Sequence, residues 1–410
     1  MQSVSRRVCT VIIAILTAAI LVGLTVMVTT AVLDGNGMSA GLAQSKGTNG
    51  DYGSRYQRLD EVYNILMDEY YVDVDSDSLI QAAIDGMMSS LDDPYTFYIT
   101  PDEMSSLNSS RSGNYVGIGV QVVRTDDSYI RVTRVFTNSS AMEAGIQKDD
   151  IIFAADGIEL RPQSDTELTE CVAKIKDGEI GTYTNITVLR GEEKLEMLVE
   201  RTAVTQDRVE YSILEGDVGY ILLYDFFGSA IDGVDNALDY FAQNDVKAII
   251  FDVRDNPGGL LDYCVDITDR FVDAGVIVYT KDRYGYRVDY EAEDGKVGLP
   301  MVVLINEGSA SASEIFSAAL QEAGAATVVG TTSYGKGIVQ TMYQFPTDGA
   351  GMQLTTSAYY TAGGKSIHHT GVSPDIEAAL GEDGVDNQLN TALEYLWKEI
   401  GYEHVGQSED

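Results

Sequence analysis

The sequence predicts an α/β core with an inserted mostly-β module, a small N-terminal helical region and an N-terminal transmembrane helix. Three observations lead there. Residues 8–33 carry no charge, the apolar period becomes strand-like between residues 115 and 202, and beyond residue 203 strand-like and helix-like runs alternate.

Arg6 and Arg7 precede the uncharged run, whose 26 residues are enough to span a bilayer. A secretory signal has a shorter apolar core, so an uncleaved anchor is expected, although Ser39-Ala-Gly-Leu-Ala43 also fits a cleavage region. The flanking arginines keep residues 1–7 cytoplasmic. The chain is then a single-pass protein of the cell membrane, with everything after Asp34 outside the cytoplasm. Residues 34–54 are rich in Gly, Ser and Asn and suit a flexible tether. In the helical region, 55–113, Leu59, Val62, Tyr63, Leu66 and Tyr70 repeat at helical spacing, as do Leu79, Ala82, Ala83 and Met87. The turn at Asp92-Asp-Pro94 follows them.

The module over 114–202 has strand-like runs at 117–123, 130–135 and 186–189. One helix interrupts them: Ser164 and Glu167 form a capping box, Leu168, Cys171, Val172 and Ile175 an apolar face, and Gly178 a stop. In the core, 203–385, strands at 218–223, 246–251 and 301–306 alternate with a helix at 231–244 and another after Gly259. That order predicts a largely parallel sheet with sites at the C-terminal ends of its strands. Residues 386–410 are a helix and tail, the helix marked by Leu389, Ala392, Leu393 and Leu396.

Composition narrows the function. Sixty-four acidic against 27 basic residues give a net charge of −37, and no basic block exists to track phosphates, so nucleic acid is excluded as a partner. Cys9, Cys171 and Cys264 are too far apart for a metal or redox motif, and no cofactor or metal is called for. His368, His369 and His404 are the only histidines.

The chemistry-bearing stretch is Asn306-Glu-Gly-Ser-Ala-Ser-Ala-Ser-Glu314, which places small hydroxyl residues at a strand-to-helix turn. Backbone N–H groups are unpaired there and favour a developing oxyanion. Ser311-Ala-Ser-Glu314 reads equally as a capping box. A second segment, Gly330-Thr-Thr-Ser-Tyr-Gly-Lys-Gly-Ile-Val-Gln340, presents Lys336 between two glycines with no acidic neighbour in the segment. A lysine serves as base for a serine only when burial favours its neutral form; in a solvated turn it would not. Gln340, four residues on, could orient such a lysine without protonating it, or satisfy buried backbone groups. A third segment, Asp252-Val-Arg-Asp-Asn-Pro-Gly-Gly-Leu260, reads as a strand-to-helix turn whose glycines allow close backbone approach.

Taken together, Glu307 to Glu314, Arg254 to Leu260 and Gly335-Lys-Gly-x-x-Gln340 resemble the C-terminal processing, or tail-specific, serine peptidases. Further matches at 86–95, 355–361 and 371–375 extend the resemblance over nearly everything after residue 55. It implies a crotonase-like spiral α/β core with Ser311 as nucleophile, Lys336 as general base and Gln340 positioning the lysine. The N–H groups of Ala312 and of Gly258 or Gly259 would form the oxyanion hole. The β module resembles a PDZ domain. Tyr115, Val116, Gly117, Ile118, Gly119 and Val120 stand where the carboxylate-binding loop and its strand begin, and Ala141 to Ile146 matches the helix that follows. Lys148-Asp-Asp150 departs from the family, which usually has a glycine before the aspartate. The expected function is a membrane-anchored serine endopeptidase that selects polypeptides by accessible C-terminal tails and cleaves through an acyl-enzyme. Relatives use the final helix in subunit contacts, which would make a homodimer.

Rival readings remain. A catalytically silent scaffold could display the tail-binding module. A Ser-His site could draw on His368 or His369. Gly330-x4-Gly-Lys336 resembles part of a phosphate-binding loop, but Gly337 lacks the hydroxyl that magnesium requires.

Overall fold

The computed structural model describes residues 52–403, apart from 113, 126, 177, 192, 294 and 382–384. The expected cytoplasmic tail and anchor, and the tether as far as residue 51, lie outside the described residues, as do Cys9 and His404. Among the described residues no helix is long and apolar enough to cross a membrane.

Helix α1 (Tyr52–Glu69) begins three residues inside the expected tether, and α2 (Ser76–Ser89) is capped by Asp75, which accepts from the Ser78 N–H at 2.9 Å. Strand β1 (Phe97–Ile99) and helix α3 (Pro101–Ser112) were not predicted. The start of α3 follows local rules: proline fills the first helical position and Thr100 and Glu103 form a reciprocal capping box.

The β module comprises β2 (Asn114–Gly117), β3 (Val120–Arg124), β4 (Ile130–Val135), α4 (Ser140–Ala144), β5 (Ile151–Ala155), β6 (Ile158–Glu159), α5 (Asp165–Lys176), β7 (Tyr183–Arg190), β8 (Glu193–Glu200) and β9 (Thr202–Thr205). Its main sheet runs β3-β4-β5-β7-β8, antiparallel throughout, so β3 is an edge strand. The strand expected over 117–123 is broken. Gly119 takes φ 84°, and a Cβ there would lie 2.2 Å from the Ser139 Cβ. β2 therefore leaves the main sheet and pairs with β9. Alternate residues Ile130, Val132, Ile152, Ile186 and Val188 meet Cys171 and Ile175 of α5 in the core. At the departure from the family pattern the turn persists, with Asp149 left-handed at φ 70° and Asp150 buried against Arg190 at 2.8 Å.

The rest contains β10 (Val209–Leu214), β11 (Val218–Leu223), α6 (Ala230–Gln243), β12 (Ala248–Asp252), α7 (Leu261–Asp269), β13 (Gly275–Asp282), β14 (Arg287–Ala292), β15 (Met301–Ile305), α8 (Ala312–Glu322), β16 (Thr327–Gly330), β17 (Ile338–Gln344), β18 (Gly351–Thr361), β19 (Ile376–Glu377) and α9 (Asn387–Ile400). The sheet order is β10-β11-β12-β15-β16-β19, parallel from β11 onward as the alternation predicts. Both faces are covered. Ile249, Phe251, Val303 and Ile305 pack with Val234, Cys264 and Phe316 of α6, α7 and α8, while Ile250, Val302 and Leu304 pack with Ala392 and Leu396 of α9. The α9 stripe is therefore core within this chain.

The chain divides into two compact units. Among the described residues the larger comprises 105–339 and 357–403, and the smaller 52–104 and 340–356. In the larger, β13 pairs with β14 and with residues 357–361 of β18. In the smaller, β1 pairs with residues 351–353 of β18.

Candidate active site

Three strand ends of the larger unit supply the site. β15 ends at Ile305, and the turn to α8 is folded by side chains that bind backbone. Asn306 Oδ1 accepts from the Asp255 and Gly308 N–H groups at 2.8 and 3.0 Å, and its Nδ2 donates to Asp255 Oδ1 at 2.9 Å. The Ser309 hydroxyl donates to the Val253 carbonyl at 2.7 Å. These bonds deliver Ser311 at the helix start with φ 57° and ψ −113°, a backbone that a serine holds only under tertiary constraint. Ser311 is 1% exposed.

The glycine turn after β12 lies directly against it. Asn256, fully buried, donates to the Leu223 carbonyl and accepts from the Gly258 N–H at 2.9 Å, while its own carbonyl accepts from the Ala310 N–H and the Ser313 hydroxyl. A Cβ on Gly258 would lie 2.7 Å from the Ala310 oxygen, 2.8 Å from Ser311 Cβ and 2.9 Å from Ala312 N. No side chain other than hydrogen fits. A hydrogen-bonded bridge holds Gly259 beside Phe226, through the Gly258 carbonyl and the Leu260 N–H. Among the described residues, the N–H groups of Ala312 and Gly259 meet no acceptor, whereas that of Gly258 is held by Asn256.

The third strand end is that of β16. After Gly330 the chain runs through Ser333 to Lys336, which is 1% exposed, and enters a strand. A phosphate-binding loop would enter a helix instead. Glu314, fully buried on the first turn of α8, joins this loop to the Ser311 turn. Its Oε2 accepts from the Ser311 N–H and the Lys336 N–H, both at 2.8 Å, and its Oε1 from the Gly335 N–H at 2.7 Å and the Ser333 hydroxyl at 2.6 Å. The glutamate half of the capping box thus forms, and the same carboxylate holds the lysine loop. Burial pushes the Glu314 carboxyl up, against the four hydrogen bonds that pull it down. With four donors converging on it, the ionised form is the one that leaves none of them orphaned.

On the other side, Tyr359 of β18 directs its hydroxyl at the carbonyls of both Ser311, at 3.2 Å, and Lys336. Burial, and then the nearby Glu314 charge, push that phenol well above its ordinary value, so it remains a donor. Cys264 sits beneath the helix start, its Sγ 3.1 Å from the Ala312 carbonyl, and burial pushes its thiol up to about 12. It is no nucleophile.

The fold therefore assembles Ser311, Ala312, Gly258, Gly259 and Lys336 in one unit. Gln340 falls in the smaller unit, 0% exposed, donating from Nε2 to Thr355 Oγ1 at 3.2 Å, with Oε1 buried and unpaired among the described residues. His368 Nδ1 accepts from the Gly337 N–H at 3.3 Å, and its ring lies tilted by 38° against that of the exposed His369. The contact is to backbone. Of the six residues expected to bind peptide, Tyr115, Val116 and Gly117 pair with β9, Ile118 and Gly119 form the bend, and Val120 opens β3. A narrow cleft runs between Ile118, Gly119, Val120 and Val122 on one side and Val172, Ile175 and Lys176 of α5 on the other. Among the described residues no His, Cys, Asp and Glu group could hold a metal ion.

Residues 217–378 match peptidase family S41, residues 116–200 a PDZ domain, and residues 15–103 the N-terminal domain of the activating protease CtpB. A probable CtpA-like serine protease of Staphylococcus saprophyticus is 33% identical over 335 residues, 81% of this chain and 67% of that one. The chain belongs to peptidase family S41. A probable CtpA-like serine protease of Staphylococcus aureus is 35% identical over 327 residues, covering 79% of the S41 chain and 64% of the relative. The S41 chain thus spans about two thirds of the length of these relatives. Among solved structures, a photosystem II D1 C-terminal processing protease aligns with TM-score 0.50 and 25% identity over 85% of this chain and 92% of its own. A putative S41 protease from Bacteroides fragilis aligns at TM-score 0.56 over 84% and 98%, and at 16% identity shows the fold alone.

Proposed function

We propose that this chain is an endopeptidase that recognises protein C-terminal tails through its PDZ domain and cleaves peptide bonds with a Ser311-Lys336 pair. The observation that carries this reading is the Glu314 carboxylate, whose one oxygen accepts from the backbone N–H of both residues at 2.8 Å. Glu314 and Lys336, the acceptor and donor of the second bond, are 22 residues apart.

Neutral Lys336 takes the Ser311 hydroxyl proton as Oγ attacks the scissile carbonyl, and the ammonium so formed gives that proton to the leaving amine. Water then hydrolyses the ester by the same route. A buried amine loses the hydration that favours its charged form, and Lys336 is 1% exposed. The carbonyl oxygen of the tetrahedral intermediate is assigned to the N–H groups of Ala312 and Gly259, each such donor being worth roughly 10²–10³ in rate. Gly258 keeps its N–H for Asn256 and serves by having no side chain. Gln340 is assigned the lysine-orienting role that the family resemblance implies.

The tail is assigned to the open edge of β3, where an extended peptide would add a strand, with its carboxylate at the bend of Ile118 and Gly119 and its last side chain in the cleft against α5. Residues 8–33 are assigned as a single-pass anchor that holds the site outside the cytoplasm.

Purified full-length chain mixed with an unstructured polypeptide ending in a free apolar tail should cleave it, and the same polypeptide amidated at its C-terminus should be cleaved several-fold more slowly. Equal rates for the two would remove tail recognition; binding of the free tail without cleavage would leave the scaffold reading.

A further inference from the structure

We propose that Glu314 and Tyr359 are positioning residues that fix the nucleophile and the base to each other, Glu314 through their N–H groups and Tyr359 through their carbonyls. The inference rests on the Ser-Lys reading above and names the parts that would make it work.

Each side chain binds the same pair of residues. Glu314 Oε2 accepts the N–H of Ser311 and the N–H of Lys336, and the Tyr359 hydroxyl faces the carbonyls of those same two residues. Ser311 and Lys336 are thus each held at the N–H and at the carbonyl, in two successive peptide units, by two buried groups. Glu314 is 0% exposed and Tyr359 1%. Glu314 is fixed further by the Gly335 N–H and by the Ser333 hydroxyl, which in turn accepts from the Val372 N–H at 2.7 Å. Tyr359 is fixed by its strand: its N–H donates to the Gly337 carbonyl at 3.1 Å, and its backbone pairs with Thr280 of β13.

The chemistry explains why these residue types stand there. A carboxylate offers lone pairs for four donors arriving from two loops, which an amide, with one oxygen, cannot. A phenol offers one proton at the end of a rigid six-carbon ring, reaching the Lys336 carbonyl and the Ser311 carbonyl, which also accepts from the Glu314 and Ile315 N–H groups, and its high pKa keeps that proton in place. Both are assigned to act through Ser311 and Lys336 rather than on the substrate. Their effect is on the distance and angle between Ser311 Oγ and Lys336 Nζ, where a displacement of about 1 Å costs on the order of a hundredfold in rate.

The test uses full-length chain and steady-state cleavage of a tail-bearing polypeptide. Tyr359→Phe keeps the ring and removes only the hydroxyl, so it should fold, and kcat should fall by about tenfold or more with KM within twofold of wild type. Glu314→Gln should fall further, and Glu314→Asp, which retains the carboxylate on a shorter arm, should recover part of the loss. A purely structural role would lower the melting temperature and leave kcat of the folded fraction unchanged. Folding of each variant is checked by circular dichroism at the assay temperature; should Glu314→Gln fail to fold, Tyr359→Phe decides alone. Wild-type kcat in folded Tyr359→Phe would overturn the proposal while leaving the Ser-Lys reading intact. Cleavage that survives Ser311→Ala would instead overturn that reading, and the proposal with it.

Discussion

The guanidinium of Arg254 binds Asp386 through two parallel hydrogen bonds, Nη1 to Oδ1 at 2.8 Å and Nη2 to Oδ2 at 2.9 Å, across 132 residues of sequence. Arg254 opens the turn that ends in Gly258 and Gly259, and Asp386 caps α9 by accepting from the Leu389 N–H at 3.0 Å. Asp252 holds the other edge of the guanidinium at 2.6 Å and also accepts from the Tyr220 hydroxyl. The final helix is thereby tied to the loop assigned to the oxyanion. Asp386→Ala is expected to lower stability by about 1–3 kcal/mol, a partly exposed partner of a largely buried arginine being removed, and to reduce cleavage. Urea midpoints and kcat of the same preparation check both.

That pair also sets a pH dependence. Burial pushes the Asp386 carboxyl up, but the hydrogen bonds from Arg254 and from backbone N–H groups outweigh it, and the group titrates below its ordinary value of 3.8. A depressed folded-state value means stability that is present above the unfolded value and is lost as pH falls through the folded one. The stability difference between wild type and Asp386→Asn should be full near pH 7 and shrink below pH 3.8. Denaturant titrations at several pH values would show it; a difference that grows on acidification contradicts the assignment.

Gly258→Ala should be among the most damaging single-methyl changes. The added carbon meets backbone atoms of Ala310 and Ala312 within 2.9 Å, at φ 104°. Backbone cannot swing aside as a side chain can, so the Ser311 turn must shift. A loss of stability of roughly 2–4 kcal/mol, with kcat down by at least about a hundredfold, is expected. Retention of wild-type kcat would show that the turn tolerates the shift.

Arg134 joins the PDZ domain to the core. It is 8% exposed, donates to Glu210 Oε1 at 3.0 Å and to the Asp207 carbonyl at 2.9 Å, and lies 3.7 Å over the Tyr224 ring. Burial pushes the Tyr224 phenol up, so the ring stays neutral beneath the cation. Arg134→Ala should split one calorimetric unfolding transition into two, the PDZ domain melting first. A single unshifted transition would show that the contact adds nothing.

The strand-to-helix turn that carries Ser311 was legible because its signal is local: a buried strand, small residues, then a helical period. The parallel sheet was legible for the same reason. Other parts were not. Glu314 reads as a helix cap from its neighbours, and its second duty depends on Gly335 and Lys336, 21 and 22 residues away. Tyr359 lies 48 residues from Ser311, inside a strand whose pattern says only that it is partly buried. Helix α3 has almost no apolar stripe, and its one local mark is the Thr100 to Glu103 box at its start. The break at Gly119 follows from Ser139, which sequence spacing does not place beside it.

The most direct measurement is the rate of polypeptide cleavage by full-length wild type, Ser311→Ala and Lys336→Ala, each shown to be folded by its melting curve. Both variants are expected to lose at least about a thousandfold, because removing either member of a nucleophile-base pair removes nearly the whole advantage of the pair. Cleavage by folded Ser311→Ala or Lys336→Ala within tenfold of wild type would contradict the assignment.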